Sequence, residues 1–295
     1  MRRRIWAGLA VVAALGIGVA WYMLKPVSGP PRDLTLVGDA SRGTYLLRVG
    51  GCVACHTDAS SGGGMLSGGP GGPGLVSPFG TFHAPNITSH PEAGIGNWTL
   101  AQFSKAMSDG EGPQGHLYPA FPYENYTLMS DQEIADLYTA LMAVPADATP
   151  SKPHEVSFPF NQRIALAGWK NLFFTPTRYS ADASQSEEWN RGRYLVLGPG
   201  HCVACHSPRN MLGAIEGGRE LAGNPGGGVG GRAPSLLSAD LAEEYDVETL
   251  TQTLADGFTP GFDVLGGAMG EVISDGTSQW TEADRRAAAV YLLAP

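Results

Sequence analysis

Apolar residues fill the chain without interruption from Ile5 to Leu24, directly after Arg2, Arg3 and Arg4 and directly before Lys25 and Pro26. Twenty residues in a helix span about 30 Å, the hydrocarbon thickness of a bilayer. The three arginines place the leading end in the cytoplasm, so everything after the span is exported. Residues 1–25 therefore read as a transmembrane anchor, with a signal cleaved within residues 14–20 as the alternative. Beyond the span the pattern changes to helical spacing. Ser130-Asp131-Gln132-Glu133 forms a capping box ahead of Ile134, Leu137, Tyr138 and Leu141, and Thr281-Glu282-Ala283-Asp284 precedes Ala287, Val290 and Tyr291 in the same way. A shorter amphipathic stretch over residues 161–174 carries Trp169, Leu172 and Phe173. It reads as a linker helix packing on both domains, or as a patch resting on the membrane or on a partner subunit.

These helical patterns belong to a repeat. Arg42-Gly43-Thr44-Tyr45-Leu46 leads to Cys52-Val53-Ala54-Cys55-His56, and Arg191-Gly192-Arg193-Tyr194-Leu195 leads to Cys202-Val203-Ala204-Cys205-His206. Each copy continues to an Ala-Pro (Ala84-Pro85, Ala233-Pro234), an Asp-Gly (Asp109-Gly110, Asp256-Gly257) and a last helix. The expected organisation is an all-α chain: an anchor at 1–25, domains at 33–145 and 184–295, and a linker at 146–183.

Composition adjusts this picture in two ways. With 41 Gly and 22 Pro, irregular segments are a large share of the fold, and the glycine-rich tracts 61–74 and 217–231 read as poorly constrained loops. Neither follows a strand or ends in Lys-Ser/Thr, so neither is a phosphate cradle. Setting aside Arg2, Arg3 and Arg4, 16 basic residues face 28 acidic ones, a net charge of −12 on the exported part. No basic cluster tracks a phosphate backbone, which excludes nucleic acid as a partner.

Cysteine usage carries the chemistry. The only four, Cys52, Cys55, Cys202 and Cys205, form two C-x-x-C pairs, each followed at once by a histidine. Thiols at i and i+3 share one face of a short helix and can add across the two vinyl groups of a porphyrin, while His56 or His206 ligates the iron. A redox dithiol lacks its βαβ context here, and one shared zinc site does not suit two separate copies. The expected cofactors are two covalently bound c-type haems. For the far side of each ring, methionine sulfur or a second histidine is the electron-transfer option. Met269, in Gly266-Gly267-Ala268-Met269-Gly270, reads as a ligand in a flexible loop of the second copy. In the first copy the matching residue is Phe121, which cannot ligate iron. Met129 is the candidate, with His116 the alternative. His83, His90, His154 and His201 read as surface or loop residues.

At this point the chain resembles the multi-haem cytochrome c subunits of bacterial membrane-bound alcohol, aldehyde and sugar-acid dehydrogenases. The resemblance runs over roughly residues 40–295, through Asn86-Ile87-Thr88, Gly94-Ile95-Gly96-Asn97-Trp98, His116-Leu117-Tyr118-Pro119-Ala120-Phe121-Pro122-Tyr123, Gly200-His201-Cys202 and Cys205-His206-Ser207-Pro208-Arg209-Asn210. It implies electron transfer from a quinoprotein, flavin or molybdenum dehydrogenase to quinone, another cytochrome or an oxidase, on the periplasmic side of the inner membrane, with no catalytic residue of the chain's own. Many such subunits carry three haems and a C-terminal anchoring element; this chain has two motifs and an N-terminal span. The rival class is a diheme enzyme. A peroxidase needs an open or displaceable distal position, and a thiosulfate dehydrogenase with a cysteine ligand needs a fifth cysteine, which the chain lacks.

Overall fold

The computed structural model describes residues 2–58, 62–68, 74–227 and 231–294. Helix α1 (Arg2–Leu24) comes first, and its Ile5–Leu24 stretch is long and apolar enough to cross a membrane. In the first half, α2 (Ala40–Val49) leads into the short α3 (Cys52–His56), followed by α4 (Leu100–Asp109), α5 (Tyr123–Tyr126) and α6 (Asp131–Ala143). Helix α7 (Ala165–Phe173) joins the halves. The second half repeats the order with α8 (Glu187–Leu197), α9 (Cys202–His206), α10 (Ser238–Leu241), α11 (Val247–Asp256), α12 (Gly267–Asp275) and α13 (Glu282–Leu293), a 3₁₀ turn (Thr277–Gln279) lying between the last two.

The helix ends follow the local sequence. Ser130 and Glu133 close the capping box on α6, Thr99 and Gln102 do the same on α4, and Thr281 caps α13. The two Asp-Gly sites end α4 and α11 with Gly110 and Gly257 in the left-handed conformation, at φ 61° and 81°.

The all-α expectation needs a correction. Strands β1 (Gly74–Ser77), β2 (Gly80–His83) and β5 (Glu155–Val156) form an antiparallel sheet in the order β1-β2-β5, and β3 (Glu111–Gly112) pairs with β4 (Gly115–His116). These strands are too short for a period-2 signal. Their role is packing: Phe82 on β2 joins Tyr118 and Leu166 of α7 in a small apolar cluster, with Leu75 and Val156 against it. The linker helix is also shorter than its pattern, since residues 161–164 form turns and α7 begins at Ala165.

Each half has its own core, and α2 serves both. Leu46 and Leu47 join Val53, Ile134, Leu137 and Leu141 in the first core. Val49 and Tyr45, one turn apart on another face of α2, pack with Leu195, Leu250 and Trp280 in the second. The halves cross their first and last helices at glycines. A methyl group on Gly43 would lie 2.0 Å from the Asp136 carbonyl oxygen, and one on Gly192 would lie 1.8 Å from that of Ala287. Gly192→Ala therefore forces α8 and α13 apart. Overpacking of this kind costs about 2 kcal/mol. The unfolding midpoint of the haem-loaded chain is expected to fall by roughly 5 °C in a thermal melt.

Candidate functional site

Both motif helices start from a left-handed residue, Gly51 at φ 64° before α3 and His201 at φ 40° before α9. That turn sets the following five residues as one compact helix, with both cysteines on one face and the histidine at its end. Burial, and then the neighbouring thiol, pushes Cys52 and Cys202 up to about 12. A reactive dithiol needs the opposite shift. Among the described residues no group of three or more His, Cys, Asp or Glu side chains is placed to hold a metal ion, as a zinc site would require.

The histidines are held for ligation. His56 Nδ1 lies 2.6 Å from the Pro85 carbonyl oxygen, and His206 Nδ1 lies 2.8 Å from that of Pro234. A carbonyl can only accept, so Nδ1 carries the proton in both rings and Nε2 keeps a lone pair available to a metal. Burial lowers the pKa of both imidazoles, and the bond to proline opposes that shift. This is the outer-shell arrangement that orients a metal-binding histidine and raises its basicity. The donor set fits a c-type haem at each motif.

Two backbone segments within the glycine-rich tracts, which the sequence pattern leaves as poorly constrained loops, brace the end of each motif. Leu66 and Leu221 both adopt φ 64°. Their amides donate to Thr57 Oγ1 (3.1 Å) and Ser207 Oγ (3.0 Å), the residues after each motif. Gly68 and Gly223 donate to the carbonyls of His56 and His206, each at 2.8 Å, and Ile87 and Leu236 donate to those of Leu66 and Leu221. A side chain on Gly68 would meet the Ala84 carbonyl and Pro85 at 2.7 Å. Parts of the two glycine-rich tracts are thus built into the histidine supports, while 61, 69–73 and 228–230 lie outside the described residues. The signal was present as Leu66-Ser67-Gly68 and Leu221-Ala222-Gly223, each with a proline two residues on.

The distal candidates separate by neighbourhood. Met129 is 1% exposed and shares the first apolar cluster with Val53 and Leu66, against which Cys52 and Phe121 pack. His116 lies on β4, outside that cluster, with Nδ1 unpartnered and its pKa lowered by burial and by Lys170. An unexpected clamp holds the Met129 backbone. Arg32, from the segment that follows the anchor, donates to the carbonyls of Met129 and of Thr127 (2.6 Å) and reaches Asp131 Oδ1 at 3.1 Å. Arg178 pairs with the same carboxylate from the linker side. Met269 is half-buried in the first turn of α12, a helix where a flexible loop was expected. Gly267 at φ 59° starts that helix, and α12 packs on α11, the 3₁₀ turn and α3 of the other half. Met211 is 95% exposed.

The two motifs meet at the junction of the halves. His201, expected as a surface or loop residue, lies in a loop and is half-buried there, its Nε2 3.4 Å from the Gly50 carbonyl oxygen and its ring 5.8 Å from that of Tyr126. Desolvation and then Cys205 and Glu271 of the second half push the Cys55 thiol up to about 11. Around this point the halves exchange equivalent contacts. Tyr45 OH donates to Asp284 Oδ2 and Tyr194 OH to Glu133 Oε2, both at 2.6 Å. These tyrosines occupy one position of the repeat, and the carboxylates occupy the third position of each last helix.

No family model matches the chain. Its similarity to individual proteins is extensive. It is 41% identical to a protein of Cereibacter sphaeroides named diheme cytochrome c-type, over 99% of this chain and 98% of that protein. It is 37% identical to the fructose dehydrogenase cytochrome subunit of Gluconobacter japonicus and 35% identical to the cytochrome c subunit of the quinone alcohol dehydrogenase of Gluconobacter oxydans, each over 85% of this chain. The chain spans about half the length of those two subunits, 51% and 53%. With two supported C-x-x-C-H histidines and this likeness along its whole length, the chain belongs to the diheme c-type cytochromes related to the cytochrome c subunits of bacterial fructose and alcohol dehydrogenases.

Proposed function

We propose that this chain is a diheme electron-transfer protein, with cytochrome c domains at 33–145 and 184–295, that carries electrons from a dehydrogenase partner to a respiratory acceptor such as quinone, another cytochrome c or an oxidase. The observation that carries the reading is the matched pair of histidine supports, His56 to Pro85 and His206 to Pro234, on motifs that abut through His201 and Gly50. When bound, each haem supplies one reversible ferrous–ferric couple. The chain's part is to attach, orient and screen. Cys52, Cys55, Cys202 and Cys205 would form the thioether links, and His56 and His206 would supply the imidazole ligands to the iron. Met129 and Met269 are the proposed sulfur donors, and thioether ligation would raise the potential. Residues 1–25 anchor the chain in the inner membrane, with both domains in the periplasm.

The test uses the purified, haem-loaded chain. Mixed with a catalytic amount of its donor dehydrogenase and that enzyme's substrate, both haems are expected to become reduced, and the chain alone is expected to turn over neither peroxide nor thiosulfate. Sustained peroxide turnover by the chain alone would move the assignment to a diheme enzyme.

A further inference from the structure

The end of α1 is attached to the body of the protein. A methyl group on Gly168 would lie 2.6 Å from Met23 Cε, so α7 runs against the last turn of α1. Tyr22 OH donates to the Asn171 carbonyl at 3.3 Å, and Asn171 Nδ2 donates to that of Lys25 at 2.8 Å. Met23 and Tyr22 belong to the apolar span itself. An element that touches them lies at the depth where that span leaves the hydrocarbon.

One face of α7 is fixed inward. Leu166 and Ala167 are buried, and the fully buried Lys170 donates to the Asp109 carbonyl at 2.9 Å, at the C-terminal end of α4 where a cation is favoured. The outer face presents Leu172, 52% exposed, and Ile164, just before the helix, is 64% exposed. From there the apolar surface continues. Trp169 Nε1 donates to the Leu212 carbonyl at 2.9 Å, which brings Met211 and Leu212 alongside. Gly213 abuts Phe79, whose ring meets that of Phe160 at 4.9 Å, next to the exposed Phe158. An apolar surface of this extent marks a binding face, and aromatic side chains concentrate where hydrocarbon meets headgroups.

We propose that α7, with residues 158–164 and 211–212, is a second membrane contact that lies in the interfacial layer of the bilayer crossed by α1. The haem-bearing body then rests on the membrane in one orientation instead of swinging on a tether. Lipid is the occupant because the face is continuous with the span and is reached at the span's own boundary. This rests on the reading of α1 as a membrane anchor.

The experiment uses the full haem-loaded chain in phosphatidylcholine nanodiscs containing a phospholipid with a photoactivatable diazirine on its acyl chain, followed by digestion and mass mapping. Lipid adducts are expected on α1 and also within 158–173 and 211–212. Phe158→Glu together with Met211→Glu should reduce the second set several-fold and leave α1 labelled as before. Adducts on α1 with none in the two outer segments overturn the inference and leave the anchor standing. Absence of adducts from α1 overturns the anchor reading, and this inference with it.

Discussion

Replacing Cys202 and Cys205 by alanine is expected to halve the haem that stays on the denatured chain, and replacing all four cysteines to abolish it. The wild-type chain should keep two haems per polypeptide through full denaturation, because thioether bonds survive when every non-covalent contact is lost. A haem-stained denaturing gel, normalised to the amount of polypeptide, reads this directly and does not require the variant to fold. The paired design matters because α3 and α9 are equivalent helices with equivalent supports, so Cys52→Ala with Cys55→Ala should give the same half. Haem that leaves the wild-type chain on denaturation would overturn covalent attachment. A signal unchanged by either pair would show that the motifs do not carry it.

Met129→Ala is expected to open one haem to carbon monoxide and to lower its potential. Thioether sulfur favours ferrous iron, so its loss stabilises the ferric state by roughly 0.1 V or more, within the range of about 0.8 V that axial ligands command. Met129 is sealed in the cluster that includes Val53 and Leu66, and truncating it leaves a space that a small ligand can enter. Arg32→Ala should act in the same direction and more weakly, since it frees the carbonyls of Met129 and Thr127 without removing the sulfur. Met211→Ala is the control, because that side chain is exposed and belongs to neither core. A potentiometric titration with carbon monoxide binding checks all three. If Met129→Ala leaves both haems closed while His116→Ala opens one, the distal ligand is His116.

The two experiments probe different levels of information in the chain. Attachment depends on residues three and four positions apart, and such spacings are legible directly. The same holds for the caps at Ser130 and Thr281, the glycines that end α4 and α11, the apolar span and the repeat. Each is set within one or two helical turns, where geometry is nearly independent of the rest of the chain. The short strands were not legible, because two to four residues carry no usable period and their pairing is fixed by Phe82 packing against Tyr118 and Leu166. The glycines around Met269 suggest a loop, yet packing against α3 and α11 accompanies a helix there.

The sequence by itself determined the number of C-x-x-C-H motifs, the cysteines and histidine of each, the helix ends near them, and a segment of membrane-spanning length. Tertiary structure alone decided which carbonyl each histidine meets, 29 residues away for His56 and 28 for His206, and that Arg32 closes on Met129 across 97 residues. It also decided that Tyr45 and Asp284, 239 residues apart, join the halves. Local spacing cannot encode such pairs. They form only when the chain closes long loops, and the closure is repaid by burial shared among many residues, as when Leu46 and Val49 of one helix enter two different cores.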